Sequence, residues 1–275
     1  MAIKQGATTK HWTQRLFVEH AELYLPFLEK AEERTVGEVD ALVTLFERSG
    51  VPQGARVLDA ACGTGRHAVA LAQRGYEIIG LDVSPLYLRL AKERAKGAGV
   101  RVRWVEGDVL DAVSALGHEK PFDVAISMFN SHGYWGRQRD VRLFGQLKAA
   151  TYPYATLVVL TSHAPWLEQV WRDETVESAG PLRLYQTGTF DAKAGTLTGD
   201  RAYFEEHGDD LKMKLLLDME HQLYDRETMA AMLAESGWDV VEAYGNDRVP
   251  GEELAPLNDD SMTMWVVAKA TPRTQ

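Results

Sequence analysis

Near the start of the chain the apolar positions fall on helical faces; further on they collect into short runs. Leu16, Phe17, His20, Leu23 and Tyr24 share one face at helical spacing, and Val39, Leu42, Val43 and Phe46 share another. The spacing predicts helix through residues 11–48. Ser49-Gly50-Val51-Pro52 then stops it, because glycine ends helices readily and proline cannot continue one.

After Gly54 the period changes. Apolar runs over 56–60, 77–81, 100–106, 122–128 and 155–161 predict strands. The amphipathic stretches 65–73, 85–95 and 139–150 predict helices between them. Ser84 and Pro85 suit an N-cap and a first helical turn. This strand–helix alternation argues an α/β fold with a doubly wound, mostly parallel sheet. The region 180–225 reads differently: runs over 185–190, 196–204 and 211–223, parted by Ala194-Gly195 and His207-Gly208, predict an antiparallel β insertion. A helix over 227–236 and strands over 238–244 and 262–269 close the sheet as an antiparallel pair. The expected organisation is a helical N-terminal cap over 1–50 and an α/β domain over 51–275, with the insertion at about 180–225.

Composition narrows the function. The chain has 275 residues, with 45% hydrophobic and 25% charged, enough for one large core. Its net charge of -10 argues against a nucleic-acid partner and suits small, neutral or cationic acceptors. Cys62 is the single cysteine, a small buried filler by type, so no internal disulfide forms. The first ten residues lack an apolar leader, and no apolar run reaches membrane-spanning length. The expectation is a cytoplasmic protein, monomer or homodimer, with no membrane partner. No His/Cys spacing suggests a metal.

In open α/β sheets, ligands bind at the carboxyl ends of strands. Gly63-Thr64-Gly65 follows the first strand and opens a helix. With Ala68 and Asp82 it also satisfies the looser dinucleotide pattern, so an NAD(P)-dependent oxidoreductase competes. Asp59 separates the two readings. A carboxylate at that strand tip repels a pyrophosphate and attracts a cation. Asp82 ends the second strand and offers two acceptors to ribose hydroxyls. Asp108 and Val109 follow the third strand, placed for an adenine amino group and ring. Met128, Phe129 and Asn130 follow the fourth.

V-L-D-A-A-C-G-T-G-R-H (57–67), L-D-V-S-P with Asp82, E-G-D-V with Asp108, and F-D-V-A-I-S-M-F together resemble the motifs of the class I S-adenosylmethionine (SAM)-dependent methyltransferases, over about 57–161. The resemblance implies a Rossmann-like, seven-stranded sheet with a reversed last strand. It implies SAM as cofactor and S-adenosylhomocysteine as product. Asp59, Ala61, Gly63 and Gly65 would hold the donor along the first loop. Asp82, Val83, Asp108, Val109 and Met128 would hold it at later strand tips. Within the class, the cap and insertion are similar to those of small-molecule methyltransferases. Tyr24 and Arg34 fall where cap residues of such enzymes reach the cofactor, Arg34 toward its carboxylate. One departure stands out: Thr151-Tyr152-Pro153-Tyr154 occupies the place of a Pro-Gly-Gly turn.

Asn130, His132, Tyr134 and Trp135 follow the fourth strand, where an acceptor pocket is expected. His132 is the candidate general base. The expected reaction is in-line transfer of a methyl group to a small-molecule N or O acceptor. A SAM-binding sensor without turnover is the other competing reading. The segment Asn130-Ser131-His132-Gly133 lacks the two prolines common in DNA base-amino methylases.

Overall fold

A computed structural model describes residues 10–246 and 254–272. The helical start is broken rather than continuous. α1 (Trp12–Gln14) runs into a wide turn, Arg15–Glu19, before α2 (Ala21–Lys30). A tight turn at Ala31–Arg34 leads into α3 (Thr35–Arg48). α3 buries Val39, Leu42, Leu45 and Phe46 against one face of the main sheet.

The alternation that follows is β1 (Arg56–Ala60), α4 (Arg66–Gln73), β2 (Glu77–Asp82), α5 (Pro85–Gly97), β3 (Arg103–Glu106), α6 (Ala112–Leu116), β4 (Phe122–Ser127), α7 (Arg137–Ala150), β5 (Thr151–Ser162) and α8 (Ala164–Val170). An antiparallel sheet, β6 (Glu174–Ala179), β7 (Leu182–Asp191), β8 (Thr196–His207) and β9 (Asp210–Gln222), comes next. α9 (Arg226–Glu235), β10 (Trp238–Asn246), β11 (Ala255–Pro256) and β12 (Thr263–Ala270) complete the chain.

The main sheet has the order β11-β10-β12-β5-β4-β1-β2-β3. β1 to β5 pair in parallel, while β12 runs antiparallel to both β5 and β10. Buried on both faces, β1, β2, β4 and most of β5 carry continuous apolar runs, which is why they were legible, while the edge strand β3 is only half-buried. Strand order reverses between β1 and β4, so the carboxyl ends of these two strands flank a crevice.

Three expectations need correction. The sheet has eight strands rather than seven, because Ala255–Pro256 adds a two-residue edge beside Tyr244 and Gly245. So short a strand carries no periodicity. The antiparallel insertion begins at Glu174, ahead of the expected 180; β6 reads as polar because most of it is exposed. Thr151 to Tyr154 is the start of β5 rather than a turn before it, with a register shift against β4 and Tyr154 at φ 66.

Candidate functional site

The tips of β1, β2, β3 and β4 open onto one cavity of about 330 Å3. Its wall carries Asp59, Ala61, Gly63, Asp82, Val83, Asp108, Val109 and Met128 from the strand ends. Tyr24 comes from α2, and Tyr134 and Trp135 from the loop after β4. Thus eleven residues singled out in the sequence meet in one place, though they span the first half of the chain.

Asp82 ties two turns together. Its Oδ2 accepts the Gly63 amide at 2.8 Å and its Oδ1 accepts the Ser84 amide at 2.8 Å. Burial raises its pKa above the usual carboxylate value, and these amides work against that rise. Asp108 caps a tight turn, its Oδ1 accepting from Leu110 N at 2.9 Å, while also lining the cavity. Gly63 sits at φ 54 with open space where a Cβ would stand, so a ligand can approach its backbone closely.

Asp59 is 1% exposed, and its Oδ2 has no hydrogen-bond partner among the described residues. Burial lifts its pKa to about 7, with Arg66 opposing and Asp82 assisting. Arg66, at the start of α4, lines the same cavity. Its Nη1 donates to Glu38 of α3 at 2.5 Å and to Thr35 at 3.2 Å, but its buried Nη2 has no partner among the described residues. His67 meets the same Glu38 oxygen through Nε2 at 2.8 Å. Burial, aided by the charge of Arg66, holds the imidazole down to about 4. It is therefore a neutral donor to Glu38 at neutral pH. One buried carboxylate thus anchors both side chains that begin α4 and presents a free guanidinium edge beside Asp59.

Four expected residues stand elsewhere. Arg34 does not line this cavity. It lies over the Phe129 ring at 4.6 Å and faces a smaller adjoining cavity of about 170 Å3, with Glu38 at 3.8 Å. Gly65 is also off the wall. At φ 75, a Cβ there would meet the Trp104 ring at 2.5 Å, so its smallness serves packing beneath the loop. Asn130 clasps the tips of β4 and β5: its Oδ1 accepts from Ser162 N at 2.6 Å and Thr161 Oγ1 at 3.0 Å. Phe129 and Asn130 both have positive φ, a strained corner held by that clasp.

His132 is not brought to the cavity. It is 1% exposed, packed on Phe144 and Tyr224 with ring centroids at 5.5 and 5.9 Å. Burial holds its pKa down to about 4. Its carbonyl receives His221 Nε2 at 3.1 Å, fixing the loop. His132→Ala is expected to cost about 1–3 kcal/mol of stability by opening a core void. Turnover at saturating substrate should stay within a few-fold of the parent, read by steady-state kinetics on purified protein.

Sequence reasoning missed Glu38, Arg66 and His67, because charged residues on helices read as solvated faces. Only the position of Arg66 directly behind the glycine loop was a signal. His11 and Phe17 also line the cavity. His11 precedes the first helix, where no pattern marked it.

The Methyltransferase domain family model matches residues 57–153. A ubiquinone biosynthesis O-methyltransferase from Salmonella paratyphi A is 38% identical over 149 residues, covering 54% of this chain and 59% of that protein. The chain therefore spans under two thirds of the curated relatives it matches. Among solved structures, a SAM-dependent methyltransferase from Clostridium acetobutylicum aligns with TM-score 0.72 at 14% identity, covering 92% of this chain and 98% of that one. SAM-bound CalS10, an amino pentose methyltransferase from Micromonospora echinaspora, aligns with TM-score 0.62 at 18% identity, covering 93% and 98%. These likenesses establish the Rossmann-like methyltransferase fold.

Proposed function

We propose that this chain, which carries a methyltransferase domain of the SAM-dependent class over residues 57–153, transfers a methyl group from SAM to a small-molecule N or O acceptor. The observation that carries this reading is the pairing of two orphaned buried atoms, Asp59 Oδ2 and Arg66 Nη2, on the wall of one cavity. An α-ammonium and an α-carboxylate on one carbon satisfy both at once. A pyrophosphate satisfies only the guanidinium and is repelled by Asp59, Asp82 and Asp108.

SAM, when bound, supplies a methyl group already activated by a positive sulfur. The protein's work is then to hold and exclude. Asp59 takes the ammonium, and Arg66, braced by Glu38, takes the carboxylate. Arg34, expected for that role, is directed to the adjoining cavity. Asp82 accepts from the ribose and Asp108 from the adenine amino group. Val83, Val109 and Met128 supply apolar walls around the base. Tyr24, Phe17 and Tyr134 cover the opening and keep water from the reacting centre, and fixed geometry of this kind is worth about 7–11 kcal/mol of barrier.

SAM affinity should rise with pH. Asp59 binds the ammonium only when ionised, and its unliganded pKa stands at about 7. Below that value a proton must be displaced first, so the dissociation constant should rise about tenfold per pH unit toward acid. In Asp59→Asn this slope should disappear, as titration calorimetry across pH 5.5–8.5 (about three units) will show. A slope that persists in the variant assigns the titration to another group.

Turnover itself is tested by S-adenosylhomocysteine formation against phenol and amine acceptors. Product that tracks acceptor supports methyl transfer. Tight SAM binding with no product from any acceptor supports the sensor reading.

A further inference from the structure

At the mouth of the larger cavity stands an imidazole that the donor-binding groups leave unused. His11 caps α1 and lines the cavity, with Thr13 beside it on the same wall. Its Nδ1 lies 2.8 Å from Thr13 Oγ1, and the Thr13 amide N–H points at the same nitrogen at 3.4 Å. An amide N–H can only donate, so Nδ1 holds the lone pair and Nε2 the hydrogen. The Tyr134 carbonyl accepts from the ring. The Thr13 hydroxyl then donates to Nδ1, which leaves its oxygen free to accept from a ligand. The His11 ring meets Trp135 at 6.0 Å, and Trp12, the next residue, meets Tyr134 at 4.9 Å. These contacts fix the pair over the loop after β4.

The surroundings keep this imidazole neutral and ready to take a proton. Partial burial sets its pKa below the ordinary imidazole value, and the Arg139 guanidinium on α7 adds to that, while the Tyr134 carbonyl opposes both. Lys10, the adjoining charge, is paired with Glu19. Among the described residues, the histidines within ion-pair distance of a carboxylate are His20, His67 and His207. The other titrating groups on the wall have other work. Asp59, Asp82 and Asp108 answer the donor, burial holds Tyr24 and Tyr134 protonated, and His67 is committed to Glu38. His11 is also exposed, so a proton it takes can pass to water after each turnover.

We infer that the methyl acceptor presents a hydroxyl on an aromatic ring, and that Thr13 Oγ1 and His11 Nδ1 carry its proton out of the site. The inference rests on the methyltransferase reading above. Phe17, Tyr134 and Trp135 line the same cavity and suit a flat ring. A phenol needs such a relay, because its ordinary pKa of about 10 leaves it a poor nucleophile at neutral pH. As its oxygen bonds to the methyl carbon, the carbon–sulfur electron pair stays on sulfur and the O–H proton passes to Thr13 Oγ1. Thr13 gives its own hydrogen to His11 Nδ1. The imidazolium keeps its Nε2 hydrogen on the Tyr134 carbonyl and loses the new proton to water. The positive charge thus leaves the sulfur and appears on the imidazole, and atoms and charge balance.

The test uses the full chain with SAM and two probe acceptors at about pH 8: phenol, which keeps its proton there, and 4-nitrophenol, which has lost most of it. His11→Gln should lower kcat for phenol by about 100-fold or more, yet lower it for 4-nitrophenol by less than about threefold. Thr13→Val should follow His11→Gln, and Thr13→Ser, which restores the hydroxyl, should recover most of the rate. With phenol, the acid limb of the parent's pH profile should vanish in His11→Gln. S-adenosylhomocysteine affinity within about twofold of the parent reports that each variant folds, and the Thr13→Val and Thr13→Ser pair decides should His11→Gln fail that check. Equal losses with the two phenols, a Thr13→Val variant as fast as the parent, or methylation of amines with both phenols untouched would each overturn the inference. A parent protein that binds SAM and methylates neither phenols nor amines would instead strike the methyltransferase reading beneath it.

Discussion

Glu38→Ala is expected to destabilise the protein by about 3–5 kcal/mol, the usual cost of stripping a buried charge of its partner. The carboxylate is 6% exposed and serves Arg66 and His67 together. Without it the guanidinium keeps only the Thr35 hydroxyl, at 3.2 Å, and the imidazole loses its partner. The damage falls where α3 packs against α4, directly behind the glycine loop. Denaturant unfolding should show the midpoint drop, and SAM should recover part of the loss by binding only the folded state. Glu38→Gln keeps an acceptor for one neighbour and should lose less. A change below about 1 kcal/mol in Glu38→Ala would mean that Arg66 finds water, and the receptor beside Asp59 would lose its fixed geometry.

The second large effect concerns SAM binding. Asp82→Ala is expected to weaken it by about 100-fold or more, near 3 kcal/mol. Charged hydrogen bonds to a ribose account for part of this. The rest comes from the protein: the carboxylate holds the Gly63 and Ser84 amides, so its removal frees both loops that shape the cavity. Asp82→Asn is a sharp control. It keeps one oxygen but turns an NH2 toward one of those amides, so it should bind SAM little better than the alanine variant. Calorimetry of folded variants decides the matter, and unchanged affinity in either would remove Asp82 from the site.

Much of this architecture was legible because the central parallel strands are buried on both faces and announce themselves as apolar runs. The strand-end rule then turned five such runs into a short list, and Asp59, Asp82, Asp108 and Tyr134 came together on one wall. The departures from expectation have physical causes. Gly65 looked like a ligand contact, yet its missing Cβ makes room for Trp104, a contact between distant positions that no local pattern encodes. His132 looked catalytic because histidine in a loop reads as exposed, whereas the Phe144 and Tyr224 rings enclose it. Arg34 was expected at the cofactor cavity, yet Arg66 lines it and Arg34 faces the adjoining one; Glu38, which meets both, is a charged residue whose burial is invisible in sequence.

Parallel calorimetric titrations with SAM, S-adenosylhomocysteine and NADP, above pH 7 where Asp59 is ionised, bear most directly on a cavity built for a cationic sulfur nucleoside. The account predicts that the two sulfur nucleosides bind one per chain while the dinucleotide gives no heat. Saturable binding of the dinucleotide, with the sulfur nucleosides inert, would contradict it.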